Sequence, residues 1–311
     1  MSPRPHRLRR SELSTPGSSP KMIARAATSA ADLVFLDLED AVAPSEKVET
    51  RANIVAGLNQ ENWGTKTRAC RINSVSTQWC HGDVVEVVEG AGHALDVIIV
   101  PKIKAPRDVW FVDDLLTQLE QKNGLEVGRI GIEVLIEETE ALARVEEIAG
   151  CSQRLEALIL GVGDLSASQG VRTGHIGGSD DSSGVVPYPG DLWHYARNRM
   201  IVAARAHGID AIDGPYGAFN DPDGYRTEAS WSASLGSVGK WCIHPSQISI
   251  ANEVYAPTPE EVKHAKAVVE AVRSAEASGD GAANLDGMMI DAATARIFEA
   301  TVDRAARCGV L

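Results

Sequence analysis

Short apolar segments alternate with amphipathic segments along most of the chain. The apolar segments, rich in Val, Ile and Leu, lie at residues 31–40, 66–73, 95–103, 129–138, 155–164, 209–213 and 240–245. The stretches between them, such as TEALARVEEIAG, carry apolar residues at helical spacing. Near-continuous apolar strands separated by helices are typical of a parallel sheet covered on both faces. Seven such strands, with a weaker one at 11–17, predict an α/β fold of the (β/α)₈ TIM barrel type.

An open, doubly wound sheet is the alternative fold for this pattern. No GxGxxG fingerprint follows the first strong strand, which disfavours a dinucleotide-binding sheet.

The pattern changes after Pro257. A helix is predicted over 258–277 from the cap signal at Thr258, followed by a flexible linker at 277–284 and a last helix at 290–307. We therefore predict a barrel catalytic domain at 1–257 and a small C-terminal helical lid at 258–311. A Gly- and Ser-rich stretch after the sixth strand, 174–191, is predicted to be a long functional loop.

Composition narrows the class of protein. The 311 residues carry a formal net charge of -13, which disfavours nucleic acid as the main partner because phosphate binding needs clustered cations. Five cysteines without a CxxC pair indicate a reducing, cytoplasmic setting. No apolar run approaches the roughly 20 residues that span a bilayer. The basic opening MSPRPHRLRR is predicted to be a mobile arm, with phosphate binding as the alternative.

Nearly every predicted strand ends in polar or charged residues. These are Glu39, Asp40, Arg71, Asn73, Lys102, Glu137, Glu138, Asp164, Asp213 and His244. In a barrel the carboxyl ends of the strands meet at one rim, where substrates bind. The mixture of acids with Arg and Lys predicts a site there rather than solvated loop ends.

Glu137 and Asp164 end neighbouring strands and are predicted to hold a metal ion. Two unshielded carboxylates that face each other repel, and a divalent cation between them resolves the repulsion. Oxygen ligands with positions left for water and substrate indicate Mg²⁺, with Mn²⁺ as the alternative, rather than zinc. The competing interpretation is that both are solvated rim acids, with Asp164 as a helix cap.

The basic residues of this rim are expected to contact anions. Arg71 is predicted to grip a carboxylate or a developing enolate, although a salt bridge to Glu39 or Asp40 is the alternative. Glu39 and Asp40 are expected to anchor metal-bound water rather than ligate the metal. His244 is predicted to cap the helix that follows it.

Several motifs together are similar to one family. They are SELSTPGSSPKM, VFLDLEDAVAPSEK, CRIN, IIVPKI, EVLIEE, GVGDLSAS, AIDGPYGAFNDPDGY, GKWCIHPSQI and GMMIDAATARI. From about residue 7 to the C-terminus the chain resembles the malyl-CoA/β-methylmalyl-CoA lyases, within the citrate lyase β-subunit and HpcH/HpaI aldolase superfamily.

The resemblance implies a fold, an assembly and roles for individual residues. It implies a (β/α)₈ barrel with a C-terminal lid, in homotrimers or homohexamers whose lids cover a neighbour's site. Glu137 and Asp164 resemble the Mg²⁺ ligands, Arg71 the arginine that holds the oxo-acid carbonyl and the enolate oxygen, and Asp291 the lid residue that exchanges a proton with the acetyl-CoA methyl group. Arg25 and the turn Pro16–Gly17–Ser18 fall where the family holds the coenzyme A nucleotide.

The implied activity is reversible cleavage of L-malyl-CoA or β-methylmalyl-CoA to acetyl-CoA or propionyl-CoA plus glyoxylate. The alternatives are a citramalyl-CoA lyase, a malyl-CoA thioesterase and a citrate lyase β-like subunit. A closed site is expected to raise the pKa of Asp291. The chain departs from the family pattern at Ser14 and Ser19, beside the turn expected to bind the nucleotide, and at Glu138, directly after the expected metal ligand.

Overall fold

The eight predicted strands form one closed parallel barrel in a computed structural model of the chain, which describes residues 4–172, 176–177 and 190–311. The strands are β1 (Ser11–Pro16), β2 (Leu33–Asp37), β3 (Thr67–Arg71), β4 (Val97–Val100), β5 (Gly131–Ile136), β6 (Leu155–Leu160), β7 (Asp210–Asp213) and β8 (Gly239–Cys242). They pair in sequence order, and β1 also pairs with β8. The TIM-barrel prediction is confirmed, and the open-sheet alternative is wrong because this last pairing closes the sheet.

Helices cover the barrel and form most of the C-terminal part. They are α1 (Pro20–Ala27), α2 (Lys47–Gln60), α3 (Cys80–Ala91), α4 (Pro106–Lys122), α5 (Thr139–Ala143), α6 (Val145–Ala149), α7 (Val162–Gln169), α8 (His194–Ala206), α9 (Pro222–Leu235), α10 (Ile248–Val254), α11 (Pro259–Ala277) and α12 (Ala292–Cys308), with a 3₁₀ turn at Pro245–Gln247. Ser19 and Asp221 cap α1 and α9 with their side chains, and each of these helices begins with a proline. Such caps satisfy amides that have no partner within the helix.

Alternate residues of the strands fill the barrel interior. Phe35 of β2 and Trp241 of β8 lie with ring centroids 4.5 Å apart, and Ala69, Leu135 and Ile212 belong to the same buried cluster. Because side chains alternate between the two faces of a strand, the residue two positions after an interior one also faces inward. This period decides which strand-end residues reach the site.

The amino end of the barrel is closed by the N-terminal segment, where a mobile arm was predicted. Arg9 is 2% exposed, and its guanidinium pairs with Glu133 at 2.7 Å, Asp210 at 3.2 Å and Glu156. Arg4 donates to the carbonyl oxygens of residues 152, 153 and 207. The mobile-arm prediction is therefore wrong for residues 4–10, because carboxylates at the strand starts bind Arg9 and backbone carbonyl oxygens bind Arg4.

The chain divides into two compact units, Met1–Asn252 and Glu253–Leu311, whereas the sequence predicted a boundary after Pro257. Within the second unit, helix α11 begins at the predicted cap: Thr258 Oγ1 accepts from the amide of Glu261 at 3.1 Å. That the second unit acts as a lid stays a prediction.

The predicted flexible linker at 277–284 is wrong from Ala282 onward. Strands β9 (Ala282–Leu285) and β10 (Met288–Asp291) pair as an antiparallel hairpin. Asp286 and Gly287 form its two-residue turn, with φ of 52° and 85°. An Asp-Gly pair between two strands is a strong hairpin signal, and the sequence interpretation overlooked it.

The predicted loop at 174–191 lies for the most part outside the described residues. None of the helices that the structure describes is long and apolar enough to cross a membrane.

Candidate active site

The carboxyl ends of strands β2 to β6 bring one group of charged side chains together. We call it the rim cluster; it consists of Asp37, Glu39, Asp40, Arg71, Lys102, Glu137 and Asp164. The sequence predicted a convergence of polar residues at this rim, but it did not single out Asp37.

Asp37 fixes the position of Arg71. The guanidinium donates from Nε to Asp37 Oδ1 at 2.7 Å and from Nη2 to Oδ2 at 2.5 Å. Its third nitrogen lies 3.1 Å from Glu39 Oε2. Burial alone would lower the pKa of Arg71, but the neighbouring Asp37 carboxylate raises that pKa well above its ordinary value. Arg71 is therefore a permanently charged, oriented group, held mainly by a residue that the sequence interpretation missed.

Arg71 also rests on the aromatic floor of the barrel. Its guanidinium carbon lies 5.4 Å from the ring centroid of Trp241 and 5.9 Å from that of Phe35. A guanidinium at this distance from an aromatic ring is attracted to it. Arg71 does form the salt bridge to Glu39 that was the alternative interpretation of the sequence. It is also an oriented cation at the barrel mouth.

Glu137 is a deeply buried acid that faces the rim, and its side chain follows interior Leu135 by two positions. It is 2% exposed, and its Oε1 accepts from the backbone amide of Lys102 at 2.7 Å. Burial, with the nearby charges of Glu39 and Asp164, raises the pKa of Glu137 to about 8. Among the described residues no cation forms an ion pair with this carboxylate, which suits a residue placed to bind a metal ion.

Asp164 lies in the first turn of α7 and does not cap that helix, whose N-cap residue is Gly161. Its Oδ2 lies 3.7 Å from Lys102 Nζ. A side chain at Gly161 would collide with Glu137, since a Cβ there would lie 2.6 Å from Glu137 Oε2. The turn that carries Asp164 therefore packs directly on Glu137, and the two predicted metal ligands lie in one cluster.

Other strand-end residues lie outside the cluster. Asp213 follows interior Ile212 by one position and faces outward, where it pairs with Arg197 at 3.0 Å and Lys240 at 2.6 Å. Asn73 donates to Asp83 at 2.7 Å, under α3. Their predicted place at the site is wrong, because β7 turns Asp213 outward and because Asn73, beyond the end of β3, is bound to Asp83 of α3.

His244 and Glu138 make local contacts outside the rim cluster. His244 accepts from the amide of Ser246 at 3.2 Å and caps the 3₁₀ turn, so its predicted structural role is confirmed. Glu138 accepts from Ser168 Oγ at 3.2 Å and lies 3.8 Å from Lys104, so its carboxylate is engaged beside α7.

The charges of the rim cluster fit a divalent cation. Lys47, which the sequence interpretation also missed, donates to the carbonyl oxygens of Leu38 and Glu39 at 2.9 and 2.7 Å. With all five carboxylates of the cluster ionised, as cation binding requires, they face three cations, Arg71, Lys102 and Lys47, which leaves two negative charges. Within the described ranges no group of three or more His, Cys, Asp or Glu side chains is arranged to hold a metal. Two carboxylates with water and substrate completing the shell are the typical Mg²⁺ arrangement.

The turn predicted to bind coenzyme A lies at the same end of the barrel. Pro16 pairs with Asp37 at the ends of β1 and β2, and the amide of Gly17 donates to the Asp37 carbonyl at 3.0 Å. A Cβ at Gly17 would lie 2.8 Å from that oxygen, so only glycine permits the close approach. Ser18 follows directly. Arg25 is exposed in the last turn of α1, about 7.5 Å along the helix axis from its start.

The two sequence departures near this turn have local structural roles. Ser19 is the N-cap of α1, and Ser14 lies in β1 opposite Phe35.

Asp291 belongs to the second unit, where it ends β10 and caps α12. Its Oδ1 accepts from Thr294 through the amide at 2.9 Å and the hydroxyl at 3.1 Å. These two hydrogen bonds lower the pKa of Asp291, which is opposite in direction to the raised pKa expected from the sequence. The lowering of the pKa by these hydrogen bonds exceeds the raising by burial, because this carboxylate is in contact with solvent.

A parallel barrel that holds an oriented guanidinium next to two carboxylates able to bind a metal ion is typical of barrel enzymes that act on anionic substrates. Comparison with known proteins gives the family. Residues 10–245 match the model of the HpcH/HpaI aldolase/citrate lyase family. The L-malyl-CoA/β-methylmalyl-CoA lyase of Cereibacter sphaeroides is 41% identical over 307 residues, which cover 97% of this chain and 96% of that protein.

More distant relatives agree with this result. The malyl-CoA/β-methylmalyl-CoA/citramalyl-CoA lyase of Chloroflexus aurantiacus is 34% identical over 88% of this chain and 80% of its own length. The CitE protein of Mycobacterium tuberculosis, in a crystal structure with magnesium, acetoacetate and coenzyme A, is 27% identical with a TM-score of 0.73, over 95% of this chain and 97% of its own.

The chain belongs to the HpcH/HpaI aldolase/citrate lyase family. The resemblance seen in the sequence motifs is confirmed, and so is the expectation of a carbon–carbon lyase of the malyl-CoA lyase type.

Proposed function

We propose that the chain is a Mg²⁺-dependent lyase that cleaves L-malyl-CoA or β-methylmalyl-CoA reversibly to glyoxylate and acetyl-CoA or propionyl-CoA. The observation that carries this proposal is the 41% identity with a lyase of that specificity over nearly the whole of both chains. The rim cluster supports it, because this retro-aldol (Claisen-type) cleavage needs a cation for one oxyanion and a second positive group for the enolate.

Glu137 and Asp164 would hold the cation, and Mn²⁺ has the same ligand preferences. Their oxygen donors and the two excess negative charges of the cluster favour this assignment. When bound there, a divalent cation would lower the pKa of the substrate hydroxyl and stabilise the charge that develops on its oxygen.

Arg71 would stabilise the thioester enolate that forms when the bond between C2 and C3 of the malyl group breaks. The two hydrogen bonds to Asp37 hold the guanidinium before substrate arrives, so it does not reorganise during the reaction. One such oriented donor contributes about 2.7–4 kcal/mol to transition-state stabilisation.

Asp291 would protonate the enolate carbon in cleavage and remove a methyl proton from acetyl-CoA in condensation. We propose that it acts in the site of another subunit of a homotrimer or homohexamer. Binding Oδ1 to Thr294 orients the carboxylate and leaves the other oxygen for the proton.

Coenzyme A would bind with its nucleotide at Pro16, Gly17, Ser18 and Arg25, at the same end of the barrel as the rim cluster, and its pantetheine arm would carry the thioester to that cluster. We expect the protein to act in the cytoplasm.

A product assay tests the proposal directly. Full-length protein is incubated with malyl-CoA, β-methylmalyl-CoA and citramalyl-CoA, with Mg²⁺ and with EDTA, and glyoxylate, pyruvate, free malate and coenzyme A products are measured. We expect glyoxylate from the first two substrates only when Mg²⁺ is present. Free malate and coenzyme A without glyoxylate would indicate a thioesterase, pyruvate from citramalyl-CoA alone a citramalyl-CoA lyase, and no reaction a β-like subunit that needs partners.

Shared sites are tested by mixing two inactive variants, Arg71→Ala and Asp291→Asn. If each lid serves a neighbour, exchange of subunits creates sites with both residues intact and restores part of the activity. An unrestored mixture, with subunit exchange demonstrated by mass spectrometry, contradicts the shared lid.

A further inference from the structure

Lys102 has an unusual backbone at the carboxyl end of β4. Its φ is +50°, and among the described residues only Asp286 is another non-glycine residue with positive φ. This left-handed conformation costs roughly 1–2 kcal/mol for an L-residue. Such strain is retained where the surrounding structure or the function needs it.

The strained backbone directs two groups of one residue at the metal ligands. The amide of Lys102 donates to Glu137 Oε1 at 2.7 Å. The ammonium lies 2.6 Å from Glu39 Oε1, 3.0 Å from Asp40 Oδ1 and 3.7 Å from Asp164 Oδ2. Lys102 therefore contacts both predicted ligands, one through its main chain and one through its side chain.

The ammonium occupies the most acidic part of the rim cluster. Arg71 is held by Asp37, and Lys47 donates to main-chain oxygens, so Lys102 is the cation that approaches Asp164 among the described residues. The Lys102 side chain is about one quarter exposed and can move away from Asp164 when another cation arrives.

We propose that Lys102 is a positioning residue that limits the affinity of the rim cluster for divalent cations, because its ammonium shares Asp164 with the cation while its amide holds Glu137. This inference rests on the metal site of the proposed function. The site alternates between two arrangements, one with Asp164 next to the ammonium and one with Asp164 on the cation. The residue thereby keeps the acid cluster folded without metal and makes metal binding readily reversible.

Neutralising the side chain should strengthen cation binding. Two like charges within a few ångströms repel even where water screens them, so the loss of one charge favours the other. We expect Lys102→Met and Lys102→Gln to bind Mn²⁺ about tenfold more tightly than wild type, a factor equal to about 1.4 kcal/mol. Lys102→Arg keeps the charge and should bind like wild type.

The experiment is calorimetric titration of metal-free, full-length protein with MnCl₂, with circular dichroism to establish that each variant folds. Lys104→Met is the matched control: it removes the same charge two residues away, from a side chain that lies near Glu138 and Glu140 rather than the predicted ligands. A second readout is thermal melting without metal. It should show a lower melting temperature for Lys102→Met than for Lys104→Met, since the rim carboxylates then lack a counterion.

An Asp164→Asn variant separates failure of this inference from failure of the metal site. If Asp164→Asn binds Mn²⁺ like wild type, the proposed site is wrong. If Asp164→Asn loses binding while Lys102→Met and Lys102→Gln bind with unchanged or weaker affinity, the metal site stands and the role given to Lys102 is overturned. Should Lys102→Met fail to fold, Lys102→Gln, which can still donate to Glu39, decides the matter.

Discussion

The carboxylate of Asp37 determines where the Arg71 guanidinium points. Asp37 faces the interior because it follows Phe35 by two positions in β2, and Arg71 follows Ala69 in the same way in β3. The paired register of the two strands sets Asp37 directly opposite Arg71. A strand-end Asp and Arg at matching register thus form a bidentate pair without any help from loops.

Replacing Asp37 by Asn should lower kcat of the lyase reaction by about 100-fold. Asparagine keeps the size but loses the charge and one acceptor, and a catalytic group misplaced by about 1 Å costs roughly that factor. Steady-state kinetics with malyl-CoA measure the effect. Asp32→Asn is the control, since Asp32 makes a similar bidentate pair with Arg10 at the other end of β2. A kcat for Asp37→Asn equal to that of the control would contradict the positioning role.

Thr294 should set the pH below which the condensation reaction slows. Its amide and hydroxyl lower the pKa of Asp291, with Arg296 a weaker contributor, so the ionised base persists to lower pH. Thr294→Ala removes one donor and should raise that pKa, so that exchange of acetyl-CoA methyl protons declines at a higher pH than in wild type. Proton exchange followed by NMR at pH values around and below the ordinary Asp pKa of about 3.9 measures this, and Thr294→Ser should restore the wild-type profile. A Thr294→Ala profile superimposable on wild type would show that Thr294 does not tune the base.

At the scale of elements, the hairpin of β9 and β10 carries Asp291 to the start of α12. Its turn depends on Gly287, which has φ of 85°, although a Cβ at this position would meet no other atom within 4 Å. The requirement there is conformational rather than steric. The hairpin therefore couples a two-residue turn to the placement of the proposed base.

Gly287→Ala should destabilise the second unit by about 1–2 kcal/mol, because the left-handed backbone conformation is unfavourable for alanine but not for glycine. Gly281→Ala is the control, since Gly281 also has open space around it but no positive φ. Thermal unfolding of both variants gives the comparison. Equal melting temperatures would mean that the turn tolerates an L-residue.

At the scale of the whole molecule, the barrel is closed at its amino end by an arginine that precedes the first strand. Arg9 joins β5, β6 and β7 through Glu133, Glu156 and Asp210. A buried ion pair contributes little net stability against a well-packed apolar replacement, but removing one partner leaves uncompensated charge. The opposite end of the same barrel carries the rim cluster. The buried charges that stabilise the fold and those proposed to act in catalysis therefore lie at separate ends.

Arg9→Met should destabilise the protein by about 3–5 kcal/mol, the usual cost of breaking a buried charge network by removing one partner. Arg107→Met is the control because that side chain is 81% exposed. Urea unfolding measures both free energies of unfolding. A difference below about 1 kcal/mol between the variants would argue that the N-terminal segment contributes no more than a surface contact.

The sequence alone determined a parallel α/β sheet and the rim formed by its strand ends. Apolar strands that alternate with amphipathic helices bury their two faces in a parallel sheet, and eight of them favour a barrel, but the pairing of β1 with β8 that closes it was seen only in the structure. That is why Arg71, Glu137 and Asp164 could be placed at one site, and why the family motifs around them identified the relatives.

Only the tertiary structure decided which strand-end side chains face that site. Asp213 points outward and Asp37 inward because one residue along a strand reverses the face, and the last residue of each strand cannot be read from an apolar run with an uncertain end. The left-handed backbone of Lys102 and the arginine at the amino end likewise depend on partners more than 30 residues distant in sequence. The local sequence pattern determines the helices and strands, whereas contacts between residues distant in sequence determine where each charged side chain points.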